Sequence, residues 1–310
     1  MAFKIDRWHV IVENEKNPLV SIVIPCYNHD KYVQECIRSV IAQDYENIEL
    51  IIIDDGSKDE SVIKIQELVP QCEKHFIRFD FRTRPNKGLC VTLNEALEWC
   101  EGKYVSFIAS DDVMRPYKTR EQAYYLENNL NSIGVFGGVE VLYKNNYKKE
   151  IKKNKNSYNF DDILLHKHNL PAPTSMLRLD NVRAVNGFRE GFIIEDWIMW
   201  LDLTEAGGKL DYIDKVFSLY RRHDNNLSAN LEKMYAGRMQ VVEVFKNKKN
   251  YNKAKARVNL IQARDLQNYN KYESIRFAYK SVLADFGILF SISFIKFLIK
   301  FFIFKRGGVN

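Results

Sequence analysis

Short apolar runs alternate with helical patterns along the chain from residue 19 onward. Val20-Ser-Ile-Val-Ile24 and Ile48-Glu-Leu-Ile-Ile-Ile53 are rich in β-branched residues and predict buried strands. Later strands are predicted at 75–83, 104–109, 133–143 and 171–177, and helices at 30–43, from about 58, and at 89–100, 117–129 and 195–205. Strands that alternate with helices indicate a parallel sheet covered by helices. The predicted fold class is therefore α/β, with a mixed, mainly parallel sheet flanked by helices.

Polar side chains follow three of the predicted strands. Asn28 follows the first strand, Asp54-Asp55-Gly56-Ser57 the second, and Ser110-Asp111-Asp112 the fourth. Because parallel strands all point the same way, their carboxyl ends open into one crevice. We therefore expect Asn28, Asp55 and Asp112 to share one mouth of the sheet.

The acidic residues at this mouth suit phosphate and nucleoside chemistry. Adjacent Asp111 and Asp112 form a hard-oxygen site of the kind that Mg²⁺ or Mn²⁺ uses together with waters and substrate phosphates. The Asp55 carboxylate can accept from the imide N–H of uracil or from ribose hydroxyls, while Tyr27 stacks on the base. Both acidic pairs have a structural alternative, because aspartates also build turns and Ser57 can cap the helix predicted after it.

Composition and cysteine usage indicate a globular protein without a disulfide or zinc framework. The 310 residues are 46% hydrophobic and 28% charged, which is typical of a globular chain with one sizeable domain and an appendage. The five cysteines are odd in number and scattered, which argues against a disulfide framework or a zinc site and favours a reducing compartment. Residues 1–16 lack an uninterrupted apolar stretch, so we expect no secretory signal.

The carboxyl-terminal part of the chain is helical in pattern from residue 229 onward. Its last segment, 286–304, is rich in Phe, Ile and Leu but is interrupted by Lys296 and Lys300 on one narrow polar stripe. Two lysines argue against a clean membrane span, whereas the stripe followed by Lys305-Arg306 favours a helix lying on an anionic membrane surface. The alternative is a terminal helix packed on the core.

Basic residues are also concentrated at 144–155, within a chain of formal net charge +6. This stretch is predicted to be a surface loop. Such a distribution suits an anionic partner, although a basic run can equally be a solvated face.

Seven motifs resemble, in their order and spacing, those of family 2 glycosyltransferases. They are Val20-Ser-Ile-Val-Ile-Pro-Cys-Tyr-Asn28, Ile53-Asp-Asp-Gly-Ser57, Asn86-Lys-Gly88 with Asn94-Glu-Ala96, Ala109-Ser-Asp-Asp112, Gly187-Phe188, Glu195-Asp-Trp197 and Tyr220-Arg-Arg-His223. The resemblance covers about residues 20–228 and is closest in kind to bacterial enzymes that build O-antigen or capsule repeat units.

This resemblance implies a domain organisation and a class of reaction. An amino-terminal extension (1–18) would precede a GT-A catalytic domain (19–228), and a helical region (229–310) would end in an amphipathic membrane-surface helix. The family uses a nucleotide-diphosphate sugar donor and a divalent metal, and we expect inversion at the anomeric carbon.

The resemblance also implies which residues hold the donor. Asp55 would bind the uracil in a pocket lined by Pro25, Tyr27 and Asn28. Arg84 and Lys87 are further candidate donor contacts.

The metal and the reaction centre involve a second group of residues. Asp112 would ligate Mn²⁺ or Mg²⁺ directly, Asp111 would hold the ribose or the metal shell, and His223 would complete the metal or phosphate site. Asp196 would be the general base that removes the proton of the acceptor hydroxyl.

Two departures from the family pattern refine the expected activity. The chain lacks the Gln-x-x-Arg-Trp motif and the several transmembrane helices of processive synthases, so we expect addition of a single sugar. Asp202 stands where many relatives have a basic residue, which leaves the acceptor side open. The expected reaction moves one hexose, glucose or galactose, from a UDP-sugar to a lipid-diphosphate-linked saccharide.

We expect the protein to be peripheral, at the cytoplasmic face of the inner membrane, with no nucleic-acid partner. Two alternatives remain at this point. One is a sugar nucleotidyltransferase, which Pro25-Cys-Tyr-Asn28 disfavours because those enzymes have a Gly-rich loop after the first strand. The other is a membrane-associated protein that binds nucleotide sugars without chemistry.

Overall fold

The computed structural model describes residues 17–143, 148–151, 157–223 and 230–303. Within these ranges, ten strands form one sheet. They are β1 (Val20–Cys26), β2 (Ile48–Asp54), β3 (Arg78–Thr83), β4 (Tyr104–Phe107), β5 (Val113–Met114), β6 (Ser132–Leu142), β7 (Lys148–Ile151), β8 (Ser157–Tyr158), β9 (Met176–Arg178) and β10 (Lys209–Arg221).

Helices cover the sheet and continue beyond it. They are α1 (Val33–Ile41), α2 (Ser61–Gln66), α3 (Val69–His75), α4 (Leu89–Trp99), α5 (Lys118–Asn128), α6 (Phe160–Leu164), α7 (Leu179–Ala184), α8 (Glu195–Glu205), α9 (Leu231–Val244), α10 (Tyr251–Leu266), α11 (Lys271–Ala284) and α12 (Ile292–Ile303). Two short 3-10 helices lie at Ala172–Thr174 and Phe286–Phe290.

The sheet has a parallel half and a mixed half. Its strand order is β3-β2-β1-β4-β9-β6-β10-β5, with β7 beside β6 and β8 beside β10. β3, β2, β1 and β4 run parallel, and β10 runs parallel to β6. The short β9 is antiparallel to both of its neighbours. The predicted α/β class, with a mixed, mainly parallel sheet, is confirmed.

Burial on both faces explains the continuous apolar runs of the central strands. Ile22 and Ile24 of β1 join one hydrophobic cluster with Val33 of α1. Val23, between them, points to the other face and joins a second cluster with Leu93 of α4. A strand covered on both sides is apolar on both faces, and in Val20–Cys26 the buried Ser21, which is hydrogen-bonded to Glu49 and Gly102, is the polar exception.

Three predicted elements differ from those observed. The strand predicted at 75–83 begins only at Arg78, because α3 extends to His75 after Pro70 in its first turn. The strand predicted at 171–177 is replaced up to Thr174 by a 3-10 helix, where the Thr174 hydroxyl donates to the Pro171 carbonyl at 2.7 Å. The predicted surface loop at 144–155 contains β7, which pairs with β6, and the rest of that stretch lies outside the described residues.

The carboxyl-terminal helices pack on one another and on the catalytic sheet domain. Val241 and Val242 of α9 are buried in the core of the sheet domain, while Phe294 and Phe297 of α12 are buried against α10 and α11. No helix within the described residues is long and apolar enough to cross a bilayer. The predicted boundary at 228, residues 1–16, and Lys305-Arg306 lie outside the described residues, so the domain limits stay predictions.

Candidate functional site

The loops after β1, β2 and β4 leave the same edge of the sheet and are bonded to one another. Cys26 and Asp54 are register partners at the ends of β1 and β2. The Asn28 N–H donates to Ser57 Oγ at 2.8 Å, and Asn28 Oδ1 accepts from the Lys58 N–H at 2.7 Å. These bonds bring together the first two loops of the predicted mouth.

The first residue of the Asp54-Asp55 pair builds the turn. Asp54 is fully buried, and its Oδ1 accepts from the N–H groups of Gly56 (3.1 Å) and Ser57 (2.9 Å). Gly56 has φ +76°, and a Cβ there would lie 2.6 Å from the Asn86 nitrogen, so only glycine fits. The Ser57 hydroxyl donates to Asp54, whereas α2 begins at Ser61, so the predicted helix cap at Ser57 is wrong.

Asp55 is held by the loop that contains Arg84 and Lys87. Its carboxylate accepts from the backbone N–H of Lys87 (2.8 Å) and Gly88 (3.0 Å) and from the Arg84 guanidinium. Arg84 also donates to Glu95 Oε2 at 2.8 Å, which ties this loop to α4. The Lys87 side chain itself is exposed. Arg84 therefore positions Asp55, and Lys87 does so through its backbone.

The predicted base pocket has one exposed aromatic wall. Pro25 lies in β1 beside Ile53 of β2, and Tyr27 follows it with 45% of its surface exposed. The Asp55 N–H donates to the Cys26 carbonyl at 2.8 Å, so Tyr27 follows the residue that is bonded to Asp55. An accessible tyrosine ring can stack on a planar ring.

Asp111 lies between two imidazoles. Its Oδ2 is 2.9 Å from His223 Nε2, and its Oδ1 is 3.9 Å from His29 Nδ1. One ligand atom from each of the three residues lies within 4.8 Å of the others. His29 Nδ1 also lies 2.8 Å from Ser110 Oγ, which joins the loops after β1 and β4. One carboxylate and two imidazoles fit a first-row transition ion such as Mn²⁺ better than Mg²⁺, which prefers oxygen ligands.

Asp112 points elsewhere. It is 2% exposed, and its Oδ1 accepts from the Arg221 N–H at 2.9 Å. Burial, followed by the charge of Asp111, raises the pKa of Asp112 well above its ordinary value. The role of Asp112 as the direct metal ligand stays a prediction, and Asp111 is the carboxylate that the fold places between the imidazoles.

Arg221, at the end of β10, and His223, just beyond it, both contact the ring of Tyr32 next to these carboxylates. The His223 ring stacks on Tyr32 with centroids 5.6 Å apart and planes at 13°. The Arg221 guanidinium carbon lies 4.8 Å from the same ring, and its Nε donates to the Asp111 carbonyl at 3.0 Å. Tyr32, which immediately precedes α1, thus supports both Arg221 at the end of β10 and His223 two residues beyond it.

Glu195 and Asp196 occupy the first turn of α8. Asp196 Oδ1 accepts from the Trp197 N–H at 2.6 Å, and the buried Trp197 indole donates to the Ile163 carbonyl at 3.1 Å. Both acids keep some exposure but sit in dense protein surroundings. This burial raises the pKa of Asp196 to about 6, and burial together with the Asp196 charge raises that of Glu195 to about 8.

The start of α8 lies close to the start of α4. Burial and, next, the Glu195 charge raise the pKa of the Cys90 thiol to about 11. Cys90 is two residues beyond Gly88, whose N–H holds Asp55. The acidic pair of α8 is therefore a neighbour of the loop that fixes Asp55.

Two sequence motifs are joined where the chain approaches α8. Asn94 Nδ2 donates to the Phe188 carbonyl at 2.8 Å, and the Phe188 N–H donates back to Asn94 Oδ1 at 2.7 Å. Gly187 has φ +68°, and a Cβ there would lie 2.5 Å from Asn94 Oδ1. This exchange fixes the segment that leads to α8.

Sequence reasoning missed His29 and Tyr32. His29 directly follows Asn28 at the same strand end, so the crevice argument could have included it. Tyr32 has no local signal, because its partners on β10 are distant in sequence. Asp202, which departs from the family pattern, is a buried carboxylate that accepts from Arg189 Nε (2.7 Å) and Nη2 (2.6 Å).

Comparisons with known proteins agree with this arrangement. A family model described as "Glycosyl transferase family 2" matches residues 21–185. The chain is 30% identical over 217 residues to the O-antigen biosynthesis glycosyltransferase WbnJ of Escherichia coli, covering 67% of this chain and 81% of WbnJ. Among other curated glycosyltransferase relatives, the chain spans between 18% and 82% of the relative's own length.

Two solved structures share the fold. Staphylococcus aureus TarS residues 1–349, in complex with UDP-GlcNAc, superpose with a TM-score of 0.58 at 17% identity, covering 91% of this chain and 80% of that one. The mannosyltransferase PcManGT from Pyrobaculum calidifontis, in complex with GDP-Man and Mn²⁺, has a TM-score of 0.63 at 12% identity, covering 94% of this chain and 89% of that one.

Proposed function

Because the chain belongs to glycosyltransferase family 2, we propose that it transfers one hexose from a UDP-sugar to a lipid-diphosphate-linked saccharide, with inversion at the anomeric carbon. The predicted family, the GT-A fold and the transferase activity are confirmed. The observation that carries the proposal is that Asp55 and the cluster of Asp111, His29 and His223 are held by loops that are bonded to one another at one edge of the sheet.

The donor side is argued from Asp55 and Tyr27. A carboxylate offers about four acceptor positions, and three donors occupy Asp55, which leaves about one for an imide N–H or a ribose hydroxyl. Tyr27 is exposed, follows the residue whose carbonyl accepts from the Asp55 N–H, and stacks on the base. The TarS structure with UDP-GlcNAc supports a uridine nucleotide, and glucose or galactose remains our proposed sugar.

The residues around Asp111 would hold the metal. Asp111, His223 and His29 supply the ligand atoms, and this donor set supports Mn²⁺ over Mg²⁺. A divalent ion bound there takes up negative charge from the departing diphosphate. Arg221 and Tyr32 keep His223 in place.

Asp196 acts as the general base. With a pKa of about 6 it is ionised at neutral pH, and it accepts the proton of the acceptor hydroxyl as the new glycosidic bond forms. Glu195, with a pKa of about 8, stays protonated and adds no second charge beside it. The WbnJ relative supports an acceptor of surface-polysaccharide synthesis, and we place the protein peripherally at the cytoplasmic face of the inner membrane.

Incubation of the protein with UDP-, GDP- and dTDP-sugars and Mn²⁺, with nucleotide release measured, tests the donor. We expect release of UDP alone. Asp196→Asn is expected to retain Mn²⁺-dependent UDP binding in calorimetry and to lose transfer, whereas Asp111→Asn loses the Mn²⁺-dependent part of binding. Asp112→Asn, assayed in parallel, decides which carboxylate is the ligand. Synthesis of a UDP-sugar and pyrophosphate from UTP and a sugar phosphate would instead establish the nucleotidyltransferase alternative.

A further inference from the structure

The helix α12 is apolar on two sides. Phe294 and Phe297 are 6% and 3% exposed and pack on α10 and α11. Ile295, Ile299 and Phe302 lie on the other side, at 48%, 52% and 74% exposure. Their spacing of four and three residues places them on one helix stripe. Packing on the core therefore uses only half of the apolar surface of this helix.

The helix α11 has the same construction. Ser274, Ala278 and Ser281 are buried on its inner side. Its outer stripe consists of residues spaced by three and four positions, which are Tyr272 (77%), Ile275 (54%), Tyr279 (63%) and Leu283 (67%). Two neighbouring helices thus each present an apolar stripe that no other element of the described residues covers.

The apolar stripes of α11 and α12 lie next to each other, because the two helices are close at both of their ends. The 3-10 helix between α11 and α12 exposes Phe286 (66%) and Phe290 (78%). At the other end, Lys271 Nζ lies 5.3 Å from the Phe301 ring centroid, so the start of α11 lies beside the end of α12. We call the exposed side chains of α11, this 3-10 helix and α12 the apolar platform.

Cations flank the apolar platform. On α12, Lys296 and Lys300 are exposed and lie between its outer stripe and its buried face. On α11, the exposed Arg276 at the border of the stripe is paired with Glu273 at 3.2 Å, and Lys280 Nζ lies 4.6 Å from the Phe277 ring centroid. Apolar stripes bordered by Lys and Arg are the features that hold helices in the headgroup region of anionic membranes.

The platform is linked by packing to the acceptor side of the site. Phe277 of α11 contacts Tyr235 of α9, with ring centroids 4.8 Å apart. Two residues further along α9, Gly237 packs so closely on Ile193 and Ile194 that a Cβ would lie 2.9 Å from Ile194. Ile194 immediately precedes Glu195-Asp196, so a continuous packed path joins the platform to the proposed base.

We propose that the apolar platform docks the protein on an anionic lipid bilayer, with its tyrosine, phenylalanine and isoleucine side chains in the headgroup layer and its lysines against lipid phosphates. The inference rests on the proposed function only through the lipid-linked acceptor, which such docking would bring to the α8 side of the site. A monomer rarely exposes an apolar surface of this extent without a partner.

Flotation of the full chain with vesicles tests the proposal. We expect partition onto phosphatidylcholine vesicles containing about 30% phosphatidylglycerol, and weaker partition at high salt or on pure phosphatidylcholine. Ile295→Ser/Ile299→Ser/Phe302→Ser is expected to lower the partition coefficient at least about tenfold. Lys296→Gln/Lys300→Gln is expected to lower it by about tenfold on the anionic vesicles only.

Ile77→Ser/Leu130→Ser is the matched control, since these residues are 68% and 77% exposed but lie outside the platform. It should bind vesicles as wild type does. Circular dichroism and UDP release with a water-soluble acceptor show that each variant is folded. Unchanged partition of the triple variant overturns the proposal. The proposal is also overturned if wild type does not bind vesicles and sedimentation shows a wild-type dimer that the triple variant dissociates. Absence of UDP release by wild type, with vesicle binding intact, would instead refute the proposed function.

Discussion

Asp196→Asn removes the proposed base while keeping the size of the side chain. Burial raises the pKa of Asp196 from 3.8 to about 6, which corresponds to about 3 kcal/mol against the charged form. Because the ionised form is the active one, activity is present above this pKa and falls as pH decreases through about 6. The logarithm of kcat/KM should therefore fall with unit slope below about pH 6 and level off above it.

Glu195, beside Asp196, gives a second prediction. Glu195 has a pKa of about 8 and is protonated below that pH, so Glu195→Gln should keep the acid limb near pH 6. Any change of rate near pH 8 in wild type should disappear in this variant. Asp196→Asn should lose roughly 10²–10⁴ in kcat and show a residual rate that is flat through pH 6.

The assay is UDP release with saturating Mn²⁺ and acceptor, from about pH 5 to about pH 9. Asp180→Asn is the matched control, because Asp180 is the second residue of α7, as Asp196 is of α8, and is exposed. It should behave as wild type. If Asp196→Asn keeps the acid limb and loses less than about tenfold in rate, Asp196 is not the base.

Two further predictions concern the metal and the buried core. His29→Ala should weaken Mn²⁺ binding at least about tenfold in calorimetry without nucleotide. The control His75→Ala, at an exposed histidine outside the cluster, should bind Mn²⁺ as wild type does. If His29→Ala and wild type bind Mn²⁺ with equal affinity, His29 is not a ligand. Lys118 is fully buried, and burial lowers its pKa from 10.5 to about 7. Between pH 7 and pH 10.5 the folded state therefore binds fewer protons than the unfolded state. The free energy of unfolding of wild type consequently rises with pH across this window. The stability advantage of Lys118→Met over wild type in urea unfolding should therefore shrink by about 3 kcal/mol from pH 7 to pH 9.5, and a constant difference would show that Lys118 is charged in the fold.

The parallel half of the sheet was predictable because its signals are local. Strand burial on both faces gives continuous apolar runs, and strand direction then places Asn28, Asp55 and Asp112 at one edge. The mixed half was not predictable in the same way. The short β9 lies between β4 and β6 and pairs with both, although it is distant from them in sequence. Such long-range pairing produces no hydrophobic periodicity from which it could be predicted.

The orientation of adjacent carboxylates was also beyond the sequence. Asp111 and Asp112 are neighbours with the same chemistry, and the difference between them is created by β10. Its end donates the Arg221 N–H to Asp112 and brings His223 to Asp111. Only the folded position of β10 decides which carboxylate faces the imidazoles.

Asp202 shows how a buried carboxylate helps to fix a neighbouring segment. It lies in α8 and accepts two hydrogen bonds from the Arg189 guanidinium. Arg189 follows Phe188, which Asn94 of α4 fixes by a reciprocal pair of hydrogen bonds. The segment at Phe188-Arg189 is therefore tied to both α4 and α8. Because Asn94 and Phe188 are 94 positions apart, the sequence alone could not reveal this connection.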